Sequence, residues 1–295
     1  MTQTSSVQVG GFSVPYRLMG EGPPILCSEL PLNPFALFAP LQTRLAGRFS
    51  VFLIDLRPVV GYSDRKPPAG DLLDFLSDFS LRVMDALGIR ECSLMGSFMF
   101  GAVSMDMARK APSRVENLVL LGPLGTIRVP KTPLLRFITG FYRLPAFPFF
   151  FRFPAFRSLV EWTDRSILGP RRMYEIFYDP KKVSARLEDL YEQYKIPRNT
   201  SAALALMWLI RRMNYTKLVS SLHEVRCRAL IICGAEDRWI PFRYVKALQA
   251  RLPDSTLVLI PKARHAPELE CAEETYRSIG AFLKETRETV ALPHK

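Results

Sequence analysis

Cysteine and histidine are the residue types that most often ligate metals or act as nucleophiles and bases, and this sequence holds five cysteines and three histidines. The cysteines form no C-x-x-C pair, and no histidine lies near them at metal-ligand spacing. We therefore expect reduced, mostly buried thiols, and neither a metal nor another cofactor. The five are Cys27, Cys92, Cys227, Cys233 and Cys271.

A second candidate for chemistry is the segment 93–102, which reads SLMGSFMFGA. Its apolar start and the helical period that follows predict a strand that runs into a helix across a tight turn containing glycine. Turns of this kind project one side chain above the end of a sheet. Here the residues in the turn are Ser97, Phe98 and Met99.

The elements around this turn alternate between short apolar strands and amphipathic helices. Gly10 and Gly11 separate two β-like runs and predict a hairpin, because glycine accepts positive φ. Farther along, a helical pattern at residues 72–87 ends at Gly88, a typical position for a helix-terminating glycine. The alternation predicts an α/β fold with a doubly wound, mostly parallel sheet covered by helices on both faces.

The alternation stops between residues 125 and 222, where prolines break a series of helical patterns. We expect residues 1–124 and 223–295 to form one core and residues 125–222 to form an inserted helical cap. Such a cap would cover the carboxyl edge of the sheet, where open α/β sheets bind their ligands. In the second core segment, strand or helix patterns return at 229–233, 242–252, 256–260 and 268–283.

The segment 93–102 resembles the nucleophile elbow of the α/β-hydrolase family, whose pattern is G-x-S-x-G. The resemblance extends over nearly the whole chain, because further motifs occur in the family's order. It implies a sheet of α/β-hydrolase type. These motifs are GEGPP from Gly20, DLR from Asp55, LLGP from Leu120, GAEDRWIP from Gly234 and ARHAPELE from Ala263.

In this family a nucleophile, a histidine base and an orienting acid act together. The resemblance implies that Asp237 is the acid and His265 the base, whereas His223 and His294 match no catalytic position. It also implies that the nucleophile position falls on Phe98, two residues after a glycine. A phenyl ring cannot attack a carbonyl carbon.

Ser97 is an alternative nucleophile if the turn shifts by one residue. That shift would place Met95 and Met99 where the elbow needs small residues.

The loop after the third strand departs from the family as well. There the family usually has a His-Gly pair, followed by a residue whose N–H completes the oxyanion hole. The resemblance places Glu29 and Leu30 at the pair and Pro31, which has no N–H, at the donor. Loss of one such donor typically costs roughly 2.7–4 kcal/mol of transition-state stabilisation. We expect the pocket of this site to be lined by Ser28, Pro31, Ser97, Met99 and Trp239.

Two functions follow from these departures. The first is a pseudoenzyme that binds a hydrophobic or acyl-type ligand, or a partner, with Asp237 and His265 as remnants of a triad. The second is a non-hydrolytic enzyme of lyase, cyclase, isomerase or cofactor-free oxygenase type, with His265 as general base. Glu29 would then be its acid partner, or else a surface residue. Hydrolysis by an unrecognised nucleophile is a third reading.

The positive charge of the chain is compatible with an anionic partner and with an ordinary basic surface exposed to solvent, and it favours the second. The formal net charge is +12 and the pI is about 9.7. The basic residues are scattered and no nucleic-acid-binding motif accompanies them, so we expect no nucleic acid. The sequence gives no indication of the oligomeric state.

A phenylalanine-rich stretch at residues 137–156 lies in the expected cap and is interrupted by arginines and prolines. It would line a pocket for an acyl chain, rest on an anionic membrane surface, or pack the cap against the core. No apolar run is long enough to span a bilayer, and the N-terminus does not resemble a secretion signal. We therefore expect a cytoplasmic protein with peripheral membrane association as an option.

Overall fold

The computed structural model describes residues 4–28, 38–60, 70–124, 153–156, 158–159, 162, 177–183, 209–210 and 212–290. Most of the expected cap lies outside these residues, so its boundaries stay a prediction. None of the described helices is long and apolar enough to cross a membrane.

Eight strands and seven α-helices lie wholly within the described residues. The strands are β1 (Ser5–Val9), β2 (Phe12–Met19), β3 (Pro24–Ser28), β4 (Ser50–Ile54), β5 (Cys92–Ser97), β6 (Val115–Leu121), β7 (Arg228–Gly234) and β8 (Ser255–Ile260). The helices are α1 (Ala39–Leu45), α2 (Leu72–Ala86), α3 (Phe98–Lys110), α4 (Tyr215–Ser221), α5 (Phe242–Gln249), α6 (Pro267–Glu270) and α7 (Ala272–Val290).

All eight strands belong to one sheet in the order β1-β2-β4-β3-β5-β6-β7-β8. β1 and β2 pair antiparallel and form the predicted hairpin. Its turn contains Gly10 and Gly11, which have φ values of 54° and 79°. β2 pairs antiparallel with β4, and every pairing from β4 to β8 is parallel. The prediction of a doubly wound, mostly parallel sheet is therefore confirmed.

The sheet has an apolar layer on each face, as its alternating side chains require. Leu26 of β3 belongs to the cluster beneath α2 and α3, whereas its neighbour Ile25 belongs to the cluster on the opposite face with α1 and α7. Both side chains are fully buried. Burial on both faces explains why Ile25–Cys27 of β3 and Ala229–Cys233 of β7 are apolar runs without alternation.

The C-terminal helix differs from the prediction. The pattern indicated one helix over 268–283, but the chain forms the single turn α6 and then the long helix α7, with Cys271 in a non-helical conformation between them. α6 remains separate because the Glu270 side chain turns back to accept hydrogen bonds from the N–H groups of Arg264 and Tyr178.

Candidate active site

The turn between β5 and α3 has the strained backbone that the motif predicts. Phe98 has a φ of 45°, and among the described residues Lys262 is the other non-glycine with a positive φ. Such conformations cost on the order of 1–3 kcal/mol and persist where the surroundings enforce them. The Phe98 carbonyl accepts a hydrogen bond from the N–H of Leu124 at 2.9 Å. Ser97 has ordinary extended dihedrals, so the turn is centred on residue 98.

Glycines make the tight turn sterically feasible. A Cβ atom on Gly96 would lie 2.6 Å from Ser104 Oγ and 2.8 Å from the Phe100 carbonyl oxygen. A Cβ on Gly101 would lie 3.1 Å from Pro123 Cβ. The backbone of α3 can approach the ends of β5 and β6 this closely only because both side chains are absent.

Asp237 and His265 lie at the carboxyl ends of β7 and β8 and form a hydrogen bond. His265 Nδ1 is 3.0 Å from Asp237 Oδ2. The other oxygen of Asp237 accepts hydrogen bonds from the N–H groups of Trp239, at 2.7 Å, and Ile240, at 3.0 Å. The Asp237 side chain is 3% exposed and the His265 side chain is 12% exposed. An ionised carboxylate only accepts, so Nδ1 carries the hydrogen and Nε2 is left with a lone pair in the neutral ring.

The electrostatics of Asp237 favour its charged form. Burial alone would raise its pKa, but the hydrogen bond and charge of His265, together with the two backbone N–H groups, lower the pKa below its ordinary value. Asp237 is therefore ionised at neutral pH and holds the imidazole in a fixed orientation.

Two close backbone approaches hold the His265 loop in place. A Cβ atom on Gly234, the last residue of β7, would lie 2.0 Å from the Arg264 carbonyl oxygen. One on Gly122, after β6, would lie 3.2 Å from the His265 carbonyl oxygen. The loop thus rests directly on the ends of two strands.

Aromatic rings surround the imidazole. The Phe98 ring stands edge-on to His265, with 5.3 Å between ring centres and 84° between planes. The Trp239 ring lies at 5.2 Å with a tilt of 34°, and this residue is 37% exposed. The structure therefore brings Phe98, Trp239, Asp237 and His265 together.

The remaining predicted site residues have different surroundings. Ser97 is buried at the end of β5. Ser28 and Met99 have no exposed surface: Ser28 donates to the Ile54 carbonyl, and Met99 belongs to the core cluster. Glu29, Leu30 and Pro31 lie outside the described residues. Within the described part of the chain, no group of three or more metal-binding side chains could hold an ion.

Sequence reasoning missed Glu268, an acid three residues after His265. It is 2% exposed, and its pKa rises to about 7, mainly because burial disfavours the charged form. A glutamate at the start of a helical pattern gives no sequence signal for burial, because glutamates are mostly exposed.

The fold and the arrangement at the strand ends are those of α/β hydrolases, and the sequence model of the alpha/beta hydrolase family matches residues 32–278. The chain belongs to this family.

The individual relatives share less than 30% of their aligned residues with this chain. A dihydrolipoyllysine-residue acetyltransferase component of an acetoin cleaving system from Pseudomonas putida is 29% identical over 245 residues, which are 81% of this chain and 58% of that protein. The chain thus spans less than two thirds of that relative's length. A 2-hydroxymuconate semialdehyde hydrolase from Pseudomonas putida is 26% identical over 230 residues, 76% of this chain and 74% of the hydrolase.

Solved structures agree on the fold. A meta-cleavage product hydrolase from Pseudomonas fluorescens IP01 superimposes with a TM-score of 0.73 at 22% identity, covering 95% of this chain and 97% of the hydrolase. An enol-lactonase from Burkholderia xenovorans LB400 gives 0.72 at 18% identity, covering 95% of this chain and all of the lactonase (100%).

Proposed function

We propose that this chain is a non-hydrolytic member of the family, a pseudoenzyme whose site binds a hydrophobic or acyl-type molecule, or a partner carrying one. The contact between Phe98 and His265 carries the proposal. The positive-φ residue of the turn, Phe98, carries a phenyl ring. The centre of this ring lies 5.3 Å from the centre of the His265 imidazole. Phenylalanine has no atom that attacks a carbonyl carbon or exchanges a proton with a base. An acyl-enzyme at residue 98 is therefore chemically excluded.

The loop after β3 supports the same proposal from the sequence. If Pro31 occupies the position of the oxyanion donor, that position has no N–H to offer. The site would then lack both its nucleophile and half of its oxyanion hole. Hydrolysis through an acyl-enzyme depends on the nucleophile and gains much of its rate from the oxyanion hole.

The type of ligand follows from the aromatic surroundings. The Phe98 and Trp239 rings both lie close to the imidazole, and apolar surfaces of this kind favour a hydrophobic molecule. We propose that residues 125–222 form a cap over this site. The phenylalanines and arginines at 137–156 would bring the cap to an anionic lipid surface inside the cell, from which an acyl chain enters.

A second candidate function is supported by the intact Asp237–His265 pair. Its 3.0 Å hydrogen bond and the two backbone donors to Asp237 leave Nε2 of His265 ready to accept a proton. In this reading the protein removes a proton from a bound substrate without a covalent step.

One experiment separates the two functions. The experiment compares wild-type protein with His265→Ala and with the matched control His223→Ala. Each protein is incubated with a metabolite extract of the cells that naturally produce it. Native mass spectrometry then detects bound molecules, and mass spectrometry of the extract detects consumed ones. His223 is exposed, in a short turn after α4 and outside the site. For a binding protein, we expect all three proteins to hold the same hydrophobic species unchanged.

Consumption of a species by wild type and His223→Ala, but not by His265→Ala, would instead establish the proton-transfer enzyme. Absence of any bound or consumed species in wild-type protein would contradict both functions.

A further inference from the structure

The loop after Asp237 and the first turn of α5 carry two exposed aromatic rings beside the candidate active site. Trp239 is 37% exposed and Phe242 is 46% exposed, although rings of this size usually lose most of their surface to packing. The Trp239 ring also lies 5.2 Å from the His265 ring. The exposed apolar surface therefore begins at the site and continues along the chain onto α5.

Three cations lie among these rings. Arg238, Arg243 and Lys246 are all exposed. The Lys246 Nζ atom lies 5.6 Å from the centre of the Phe242 ring, and the guanidinium carbon of Arg243 lies 5.0 Å from the centre of the Tyr244 ring. In the part of the chain that the structure describes, none of the three cations forms an ion pair with an acid.

Positive charge is concentrated in this segment. Residues 238–253 contain four cations and no aspartate or glutamate. Glu236, just before the segment, is an exposed acid, whereas the Asp237 side chain is buried and bonded to His265. A surface that is positive throughout complements a plane of anionic headgroups, and rings among cations are typical of helices that lie in a lipid interface.

The fold presents this surface at the edge of the sheet where the site lies. α5 follows β7, so its first residues lie near the carboxyl ends of the parallel strands. Val245 and Leu248 are buried and hold the helix on the core. Phe242 and Lys246 are four positions apart and share an outward face. Ring and cation are thus exposed together on one side of the helix.

We propose that this segment docks the protein on an anionic lipid membrane. The basic aromatic surface places its rings in the headgroup region and its cations on lipid phosphates, and it consists of Arg238, Trp239, Phe242, Arg243 and Lys246. Docking there brings the site next to a bilayer, which is a source of acyl-type molecules. The inference rests on the proposed function for the ligand alone, because docking requires no ligand in the site.

The test measures binding of the full chain to lipid vesicles by cosedimentation. One set of vesicles contains phosphatidylglycerol and phosphatidylcholine in equal parts, and the other contains phosphatidylcholine alone. We expect wild type to bind the first set and to lose this binding at high salt. Each cation near an anionic bilayer contributes about fivefold in affinity, so the double variant Arg243→Gln with Lys246→Gln should bind roughly 30-fold more weakly.

The matched control is the double variant Arg48→Gln with Arg90→Gln. It removes the same charge from exposed residues that lie just before β4 and β5, at the opposite edge of the sheet. The two edges are about 20 Å apart by the rise of a strand, so salt screens much of the attraction there. We expect this control to bind within about twofold of wild type. Phe242→Ala, which keeps the charge, should weaken binding about tenfold.

Several results would overturn the proposal. They are absence of vesicle binding by wild type, equal binding to both sets of vesicles, and equal weakening in the two double variants. Unchanged binding by Arg243→Gln with Lys246→Gln would overturn it too and would leave any lipid contact to the cap. Binding of an acidic acyl carrier protein without binding of vesicles would instead assign the surface to a protein partner. Native mass spectrometry of wild type reports separately on the ligand of the proposed function.

Discussion

At the scale of single residues, the chemistry of this site depends on what Phe98 and His265 can do together. Their rings touch edge to face, and no hydroxyl group lies at the positive-φ residue to receive help from the imidazole. The Asp237–His265 pair is nevertheless fully formed. In the proton-transfer function proposed above, a base oriented in this way would act only on a molecule that enters the site, because the side chain of residue 98 offers it no proton.

Restoring a serine at residue 98 should not restore esterase activity. We expect Phe98→Ser to hydrolyse p-nitrophenyl esters no better than Phe98→Ala, because a proline at the proposed donor position, Pro31, has no N–H to offer to an oxyanion. The double variant Phe98→Ser with Pro31→Gly should be about 10²- to 10³-fold faster than Phe98→Ser alone. Robust turnover by Phe98→Ser alone, or labelling of wild type by a fluorophosphonate, would contradict this account.

At the scale of elements, the site depends on how closely the His265 loop lies on β7. We expect Gly234→Ala to destabilise the fold by about 1–3 kcal/mol, because overpacking at this level forces backbone to move. The new Cβ would lie 2.0 Å from a carbonyl oxygen of that loop. Urea unfolding of wild type and Gly234→Ala measures the difference in unfolding free energy.

Gly280→Ala is the matched control for this prediction. Gly280 lies within α7, and a Cβ atom there meets nothing within 4 Å. Alanine should therefore stabilise the helix by roughly 0.5–1 kcal/mol. Equal stability of wild type and Gly234→Ala would show that the loop does not need this close approach.

The elements were predictable from sequence wherever a repeated pattern determines them. Apolar runs that alternate with helical periods predicted the parallel sheet, and Gly10, Gly11 and Gly88 marked turns that have positive φ in the structure. Asp237 and His265 were found by resemblance, because both occur in motifs of fixed order. The break between α6 and α7 was not predictable, because the Glu270 side chain there accepts hydrogen bonds from the N–H of Arg264, outside the helix, and from that of Tyr178, which is distant in sequence.

The same reason explains why Glu268 was missed. Glu268 is buried in the separate turn α6, which the sequence pattern did not predict. Glu29, which the sequence suggested as an acid partner of His265, lies outside the described residues and remains a prediction.

At the scale of the whole molecule, Glu268 couples stability to pH. Its pKa is raised from 4.5 to about 7 in the folded chain. Between these two pH values Glu268 is protonated in the folded chain and ionised in the unfolded chain. The free energy of unfolding therefore falls as the pH rises from 4.5 to 7, and this contribution is lost above pH 7. The rise in the pKa corresponds to about 3 kcal/mol of unfolding free energy.

We expect wild-type protein to lose about this amount of unfolding free energy between pH 4.5 and pH 8 relative to Glu268→Gln. Urea unfolding at several pH values measures the difference, and Glu236→Gln is the control for removal of an exposed charge. Parallel pH profiles for wild type and Glu268→Gln would show that Glu268 ionises at its ordinary pH in the folded chain.

The strained turn at Phe98 forms at a residue that has no hydroxyl group. A positive φ persists there at a phenylalanine, beside the Leu124 hydrogen bond and the neighbouring glycines. If residue 98 is the nucleophile position, as we propose, the strain of the turn is a property of the scaffold and does not depend on a reaction. On that proposal, the architecture of an active site can be studied in this chain apart from its nucleophile.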